Sequence, residues 1–209
     1  MAAEEELVYW VFAAVFGLST IAFALVRNRK PSDNLVYSSN VFVTFLTTIS
    51  YVIMALSIAT TIAGNGEPIY WSRWLFYAAS CSMLTVDMAF IGKKTKIETF
   101  EIAFLTSVTM FCGFLASFVT VQERWWFFGL STAAYLGMLY TLFSKRSEAG
   151  NSGLEWFVLV TWSAFPLVWV LAPTGFGVVT TYTEAILYGA LDLLTKIFFG
   201  TYLIYRSIK

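Results

Sequence analysis

Apolar residues fill this chain in long runs, and its charges gather in short clusters between them. Uncharged stretches cover Leu7–Val26, Asn34–Gly66, Ile102–Gln122, Trp125–Ser144 and Trp156–Thr183. About 20 apolar residues in a helix cross the roughly 30 Å of hydrocarbon in a bilayer, so several of these runs can span one. The interruptions between them predict seven helices. The first covers about Glu4–Val26 and ends at Arg27-Asn28-Arg29-Lys30, with Pro31 beyond as a stop signal. The second covers about Leu35–Ala63, ahead of the flexible turn Gly64-Asn65-Gly66. The third opens at Pro68, a favoured first helical residue, and runs to about Ile91. The fourth covers about Ile97–Thr120 and the fifth about Arg124–Phe143. Ser144–Gly153 is the most loop-like segment, with polar and glycine residues throughout. The sixth helix covers about Leu154–Leu171, stopped by Pro173-Thr174-Gly175, and the seventh about Tyr182–Tyr205.

Composition agrees with this pattern. Of 209 residues, 58% are hydrophobic and only 12% charged, about half the charged fraction of a soluble domain. Net charge is zero, so the total says nothing about acidic partners, but its distribution does. Arg27, Arg29, Lys30, Lys93, Lys94, Lys96, Lys145, Arg146, Arg206 and Lys209 fall on one side of the predicted bundle, ten of the thirteen basic residues. By the positive-inside rule that side is cytoplasmic, which places the N-terminus outside and the C-terminus inside. The expected fold is therefore an all-α membrane protein, one seven-helix transmembrane domain over residues 1–209, multi-pass in the plasma membrane among its lipids.

Several function classes drop out. No basic cluster interleaved with aromatics lies outside the spans, which argues against nucleic acid. Cys81 and Cys112 both fall inside predicted spans, so no disulfide framework is implied. The chain has no histidine, hence lacks the commonest metal ligand and the usual neutral-pH proton shuttle, and no metal site is expected. Proton chemistry must run on carboxylates, a lysine-derived base, hydroxyls or water. The acidic start MAAEEELVYW is unlike a cleaved signal peptide.

Two stretches carry chemistry. In Leu187–Gly200, LYGALDLLTKIFFG, Asp192 and Lys196 interrupt an apolar run. Four residues are about one helical turn, so the two share a face at roughly 6 Å. Charges in hydrocarbon are costly and usually face a bundle interior with a partner. A buried lysine also loses its proton readily and forms Schiff bases with carbonyl compounds. From these residues alone two readings stand, a structural ion pair between helices or a reactive lysine with its counterion. In the third helix, Arg73, Phe76, Ser80 and Asp87 fall within an arc of roughly 60°, Arg73 and Asp87 being about 21 Å apart along the axis. Arg73 and Asp87 either snorkel to opposite interfaces or form one functional stripe with the serine.

Together these residues resemble the microbial rhodopsins. LDLLTKIFFG at 191–200 is similar to their retinal-binding seventh helix, and WSAFPLVW at 162–169 to their tryptophan–proline segment. STAA at 131–134 and YWSRWLF at 70–76 resemble segments of the fifth and third helices. The resemblance implies all-trans retinal held by Lys196 as a Schiff base, with Asp192 as counterion. It implies chromophore contacts from Tyr77, Cys81, Leu84, Phe128, Thr132, Trp162, Phe165, Pro166 and Trp169. Where outward proton pumps of the family carry a carboxylate on the third helix, this chain has Phe76. The triplet Phe76, Ser80, Asp87, with Cys81 after the serine, looks like the schizorhodopsins and Antarctic rhodopsins, whose usual acid at the third position is glutamate. The resemblance implies light-driven inward proton transport; the placement of the carboxylates then has Asp87 draw the proton inward, with or without binding it, while reprotonation comes from outside past Arg73, with Glu184 as a candidate uptake residue. It also implies a homo-oligomer, commonly a trimer, and no enzyme activity. Sensor, light-gated channel and a seven-helix receptor without retinal are the alternatives. Phe165 replaces a tyrosine that hydrogen-bonds the counterion in many members, so that bond has to come from water or another helix.

Overall fold

A computed structural model of the chain describes residues 3–29, 35–119, 122–144 and 152–208. Among these residues the helices are α1 (Ala3–Arg29), α2 (Leu35–Ala55), α3 (Ser72–Ile91), α4 (Lys96–Phe118), α5 (Arg124–Phe143) and α6 (Ser152–Leu171). The seventh rod is composite. It runs as α7 (Thr181–Asp192), a π-helical turn (Leu193–Phe198) and α8 (Phe199–Ile208). Six of the seven rods are long and apolar enough to cross a membrane, and Trp156–Leu171 of α6 is a shorter apolar stretch. The protein is a seven-helix bundle.

Three boundaries differ from expectation. The second helix stops at Ala55 instead of continuing to Ala63. Ser57 and Ala59 adopt left-handed backbone (φ 54° and 58°), and Thr61–Ile62 then pairs antiparallel with Pro68–Ile69. Pro68 therefore sits in a strand (β2, after β1 at Thr61–Ile62), and the third helix begins at Ser72. Hydrophobicity alone does not separate a short apolar strand from the end of a helix. The Gly-Asn-Gly turn, with Gly66 at φ 87°, was a hairpin signal as much as a helix stop. A two-residue strand with proline at one register position suits an edge hairpin. The third difference is the π turn, which no periodicity reveals. The expected end of the fourth helix, Thr120, and most of the Ser144–Gly153 loop lie outside the described residues.

Elsewhere local chemistry explains the boundaries. Thr95 caps α4 by accepting from the Glu98 backbone N–H, while the Glu98 carboxylate accepts from the Thr95 N–H. That reciprocal pair satisfies two donors that a helix start leaves free. Lys94 Nζ donates to the Thr141 carbonyl at 2.9 Å, tying the α3–α4 corner to the end of α5. At the opposite end, Thr181 Oγ1 donates to Glu67 Oε2 at 2.7 Å, pinning the hairpin to the start of α7.

The flanks of the bundle are apolar, and a few charges lie inside it. Trp126, Phe100, Leu18 and Tyr140 are exposed, as lipid-facing side chains are. Arg73, Asp87, Asp192 and Lys196 are no more than 1% exposed. In α2 the buried residues Asn40, Thr44, Thr47 and Tyr51 follow helical spacing and form a polar stripe turned into the bundle.

Candidate functional site

Lys196 sits in the π turn, and its Nζ donates to Asp192 Oδ1. The other carboxylate oxygen, Oδ2, accepts from Tyr51 Oη and from Tyr77 Oη, each at 2.7 Å. Nζ also lies 3.8 Å from the centroid of the Tyr77 ring. A buried ion pair holds only when its remaining hydrogen-bonding capacity is met. Here three helical rods meet it: the seventh supplies both charges, α2 supplies Tyr51, and α3 supplies Tyr77. Phe165 has no hydroxyl to give, and the bond it lacks comes from other helices. The ring keeps an apolar role, edge-on to Tyr77 at 5.7 Å and stacked on Tyr188 at 5.9 Å.

Beside this pair lies an apolar cavity of about 360 Å³ between α3, α4, α5, α6 and the seventh rod. Cys81, Leu84, Phe128, Thr132, Trp162, Phe165, Pro166 and Trp169 line it together, eight of the residues read from the sequence as chromophore contacts. Thr195, the neighbour of Lys196, lines it too, so the lysine-bearing turn borders the slot. Phe128 and Trp169 stack at 4.7 Å and form one flat wall. Trp169 is fixed by its indole N–H donating to Ser117 Oγ at 3.0 Å. Tyr77 is not part of this lining; it lies under the lysine instead. The sequence reading also missed Trp74, Gly113 and Tyr135, which complete the walls. A rigid apolar polyene tethered at a lysine fits such a slot: aromatic walls, little polarity, and an amine paired with a carboxylate.

The charges of the third-helix stripe separate toward two ends. Arg73 Nη1 donates to Glu184 Oε1 at 2.9 Å, and its guanidinium lies 4.3 Å from the Tyr188 ring centroid. Both partners are buried, so Arg73 is held inside the bundle and does not snorkel to an interface. Asp87, at the other end, is fully buried and accepts from Ser39 Oγ of α2. Ser80 is buried between them, and Phe76 is half-buried. Tyr51 and Ser39 were absent from the sequence reading. The polar stripe along α2 marks the face that carries Tyr51 but not which hydroxyl crosses to another helix, and Ser39 lies off that stripe.

A seven-helix membrane bundle with one interior lysine–carboxylate pair beside an aromatic slot defines a class of retinal-type photoreceptor folds. Residues 3–209 match the family described as bacteriorhodopsin-like proteins, and the chain belongs to that family. The crystal structure of schizorhodopsin 4 is similar at 35% identity and TM-score 0.89, covering 95% of this chain and 97% of that one. The bacteriorhodopsin-II-like protein of Haloquadratum walsbyi is 28% identical over 93% of this chain and 88% of its own. Sensory rhodopsin-2 of Natronomonas pharaonis is 24% identical over 92% of this chain and 84% of its own. The protein is thus a multi-pass membrane protein of the microbial rhodopsin family, whose members are light-driven transporters or sensors and not conventional enzymes. The family implies a retinal chromophore linked to a lysine.

Proposed function

We propose that this protein is a light-driven inward proton pump, with all-trans retinal held on Lys196 as a protonated Schiff base. All 209 residues are read as one retinal-binding domain, N-terminus outside and C-terminus cytoplasmic, assembled as a homo-oligomer, a trimer by resemblance. When bound, retinal supplies light absorption and an isomerisation that turns the N–H at the lysine nitrogen. The protein's own residues then decide where a proton goes.

Asp192 is the counterion, and its carboxylate accepts from three donors: the lysine nitrogen, Tyr51 and Tyr77. Once the lysine N–H turns away, Tyr51 and Tyr77 still occupy Oδ2 of that carboxylate. Phe76, one turn before Ser80, offers no oxygen to receive one on the outer side. Asp87, at the basic end of the bundle, is the acid that remains on the inner side of α3. Arg73 and Glu184 flank the outer path by which the lysine nitrogen regains a proton. The observation that carries this reading is the placement of carboxylates: none at Phe76, one buried at Asp87.

The test is a light-induced pH trace on cells expressing the full chain in unbuffered medium. Inward pumping makes the medium alkaline, and a protonophore abolishes the change. Acidification instead means an outward pump. No change means a sensor, the class to which one similar protein's name belongs. A photocurrent that reverses with voltage means a channel.

A further inference from the structure

The step between Lys196 and Asp87 has to cross from the seventh rod to α3, and α2 lies against both. Asn40 is fully buried, and its Oδ1 has no hydrogen-bond partner within the protein. Its Nδ2 donates to the Val36 carbonyl at 2.8 Å, which fixes the amide and leaves Oδ1 facing Gly200. Gly200 is about one turn beyond Lys196. A Cβ on Gly200 would overlap Asn40 Oδ1, so a glycine there is what lets the carboxamide approach the seventh rod. The preceding residue, Ser39, faces the other way and donates to Asp87 Oδ2. Two adjacent residues of α2 therefore reach one turn past the lysine on one side and the inner carboxylate on the other.

Ser39 has a second acceptor. Its Oγ also lies 3.0 Å from the Val36 carbonyl, the same oxygen that anchors Asn40. A hydroxyl has one hydrogen, so it serves Asp87 or Val36 but not both at once. Asp87 Oδ1 and Ser80 Oγ, like Asn40 Oδ1, are buried without a partner in the protein. Buried polar atoms are almost always hydrogen-bonded, and a small polar site with several such atoms suits water. Ser39 and Asp87 also border a second cavity of about 170 Å³ that reaches Leu35, an exposed residue at the start of α2.

We propose that Ser39-Asn40 is a relay for the inward step, resting on the reading of Asp87 as the inner acid. Asn40 Oδ1 holds a water beside Gly200. A proton leaving the lysine nitrogen passes to that water and on through water at Ser80 Oγ to Asp87 Oδ1, each water giving up one proton as it takes another. No bond between heavy atoms changes. As Asp87 becomes neutral, Ser39 turns its O–H from Oδ2 to the Val36 carbonyl. The carboxyl then loses its proton into the cavity beside Leu35, and the charge it recovers draws Ser39 back. Ser39 and Asn40 are positioning residues, acting through Asp87 and water.

The experiment uses the full chain with retinal bound and the variants Ser39→Ala, Ser39→Thr, Asn40→Leu and Gly200→Ala. Neither α2 residue bonds to Lys196 or Asp192, so the visible band of each α2 variant stays where it is and reports folding. Ser39→Ala shifts the infrared carboxylate stretch of Asp87 and slows inward proton movement about tenfold, as loss of a hydrogen bond to a charged group does. Ser39→Thr restores both. Asn40→Leu slows transport to a similar degree and removes a water O–H band while the dark Asp87 band stays put. Gly200→Ala, which displaces Asn40 from the opposite helix, also slows transport. Parental rates in Ser39→Ala and Asn40→Leu overturn the relay alone, as does a Ser39→Thr protein no faster than Ser39→Ala. An unaltered chain that moves no protons inward, or an Asp87→Asn variant pumping at the parental rate, overturns the function reading and the relay with it.

Discussion

At the scale of single residues, Asp192 accepts from three donors, and these partners do different work. Tyr77 contributes twice, through its hydroxyl to Oδ2 and through its ring face to Lys196 Nζ. Tyr77→Phe removes only the hydroxyl, a bond to a charged acceptor of about 1.5–3 kcal/mol. Tyr77→Leu also removes the ring, a cation–π contact of about 2 kcal/mol in a dry site. The temperature at which bleaching is half complete is therefore expected to fall in the order parent, Phe variant, Leu variant, and equal values for the two variants would show the ring to be a spacer. Lys196 and Asp192 were legible in the sequence because charges stand out in apolar runs, whereas Tyr77 was read as a chromophore contact and its hydroxyl instead meets Asp192. Tyr51 and Ser39 were not legible. Hydroxyls in a membrane helix usually bond their own backbone, as Thr44 does to the Asn40 carbonyl and Thr47 to the Val43 carbonyl. Nothing in a single sequence marks the hydroxyl that reaches across to another helix.

Between elements, the contact of α1 with the seventh rod transmits packing to the ion pair. Gly189 has no side chain because the Phe12 ring occupies that space; a Cβ there would overlap the ring edge. Phe12 in turn stacks on Tyr51 at 5.3 Å, and Tyr51 holds Asp192. Overpacking of this kind costs about 1–3 kcal/mol. Gly189→Ala is expected to lower thermal stability and also shift the visible band, although residue 189 touches neither charge. A lowered bleaching temperature with an unmoved band would mean that Phe12 yields without disturbing Tyr51. The rods themselves were largely legible, since length and hydropathy specify a membrane helix. The hairpin at Thr61–Ile69 and the π turn around Lys196 were not. The first is too short for a period to register, and the second changes hydrogen-bond spacing without changing residue type. π turns of this kind cluster at functional sites, and this one carries Lys196.

For the molecule as a whole, direction is a question of asymmetry across the lysine, and two substitutions probe it from opposite sides. Asp87→Asn removes the inner acid without altering the shape or bonding of the Lys196–Asp192 pair. The protein is expected to stay coloured while inward transport drops about tenfold or more, since a missing proton acceptor commonly costs that much. Phe76→Asp adds a carboxylate on the third-helix stripe outside Ser80, at the position where outward pumps of the family keep theirs. A second carboxylate near the lysine nitrogen adds an outer acceptor that competes for its proton. The visible band should then shift with external pH, and the light-driven alkalinisation of the medium should vanish or reverse. If Phe76→Asp instead pumps inward at the parental rate, direction is set by the inner half of the bundle alone, by Asp87 and the α2 residues that hold it.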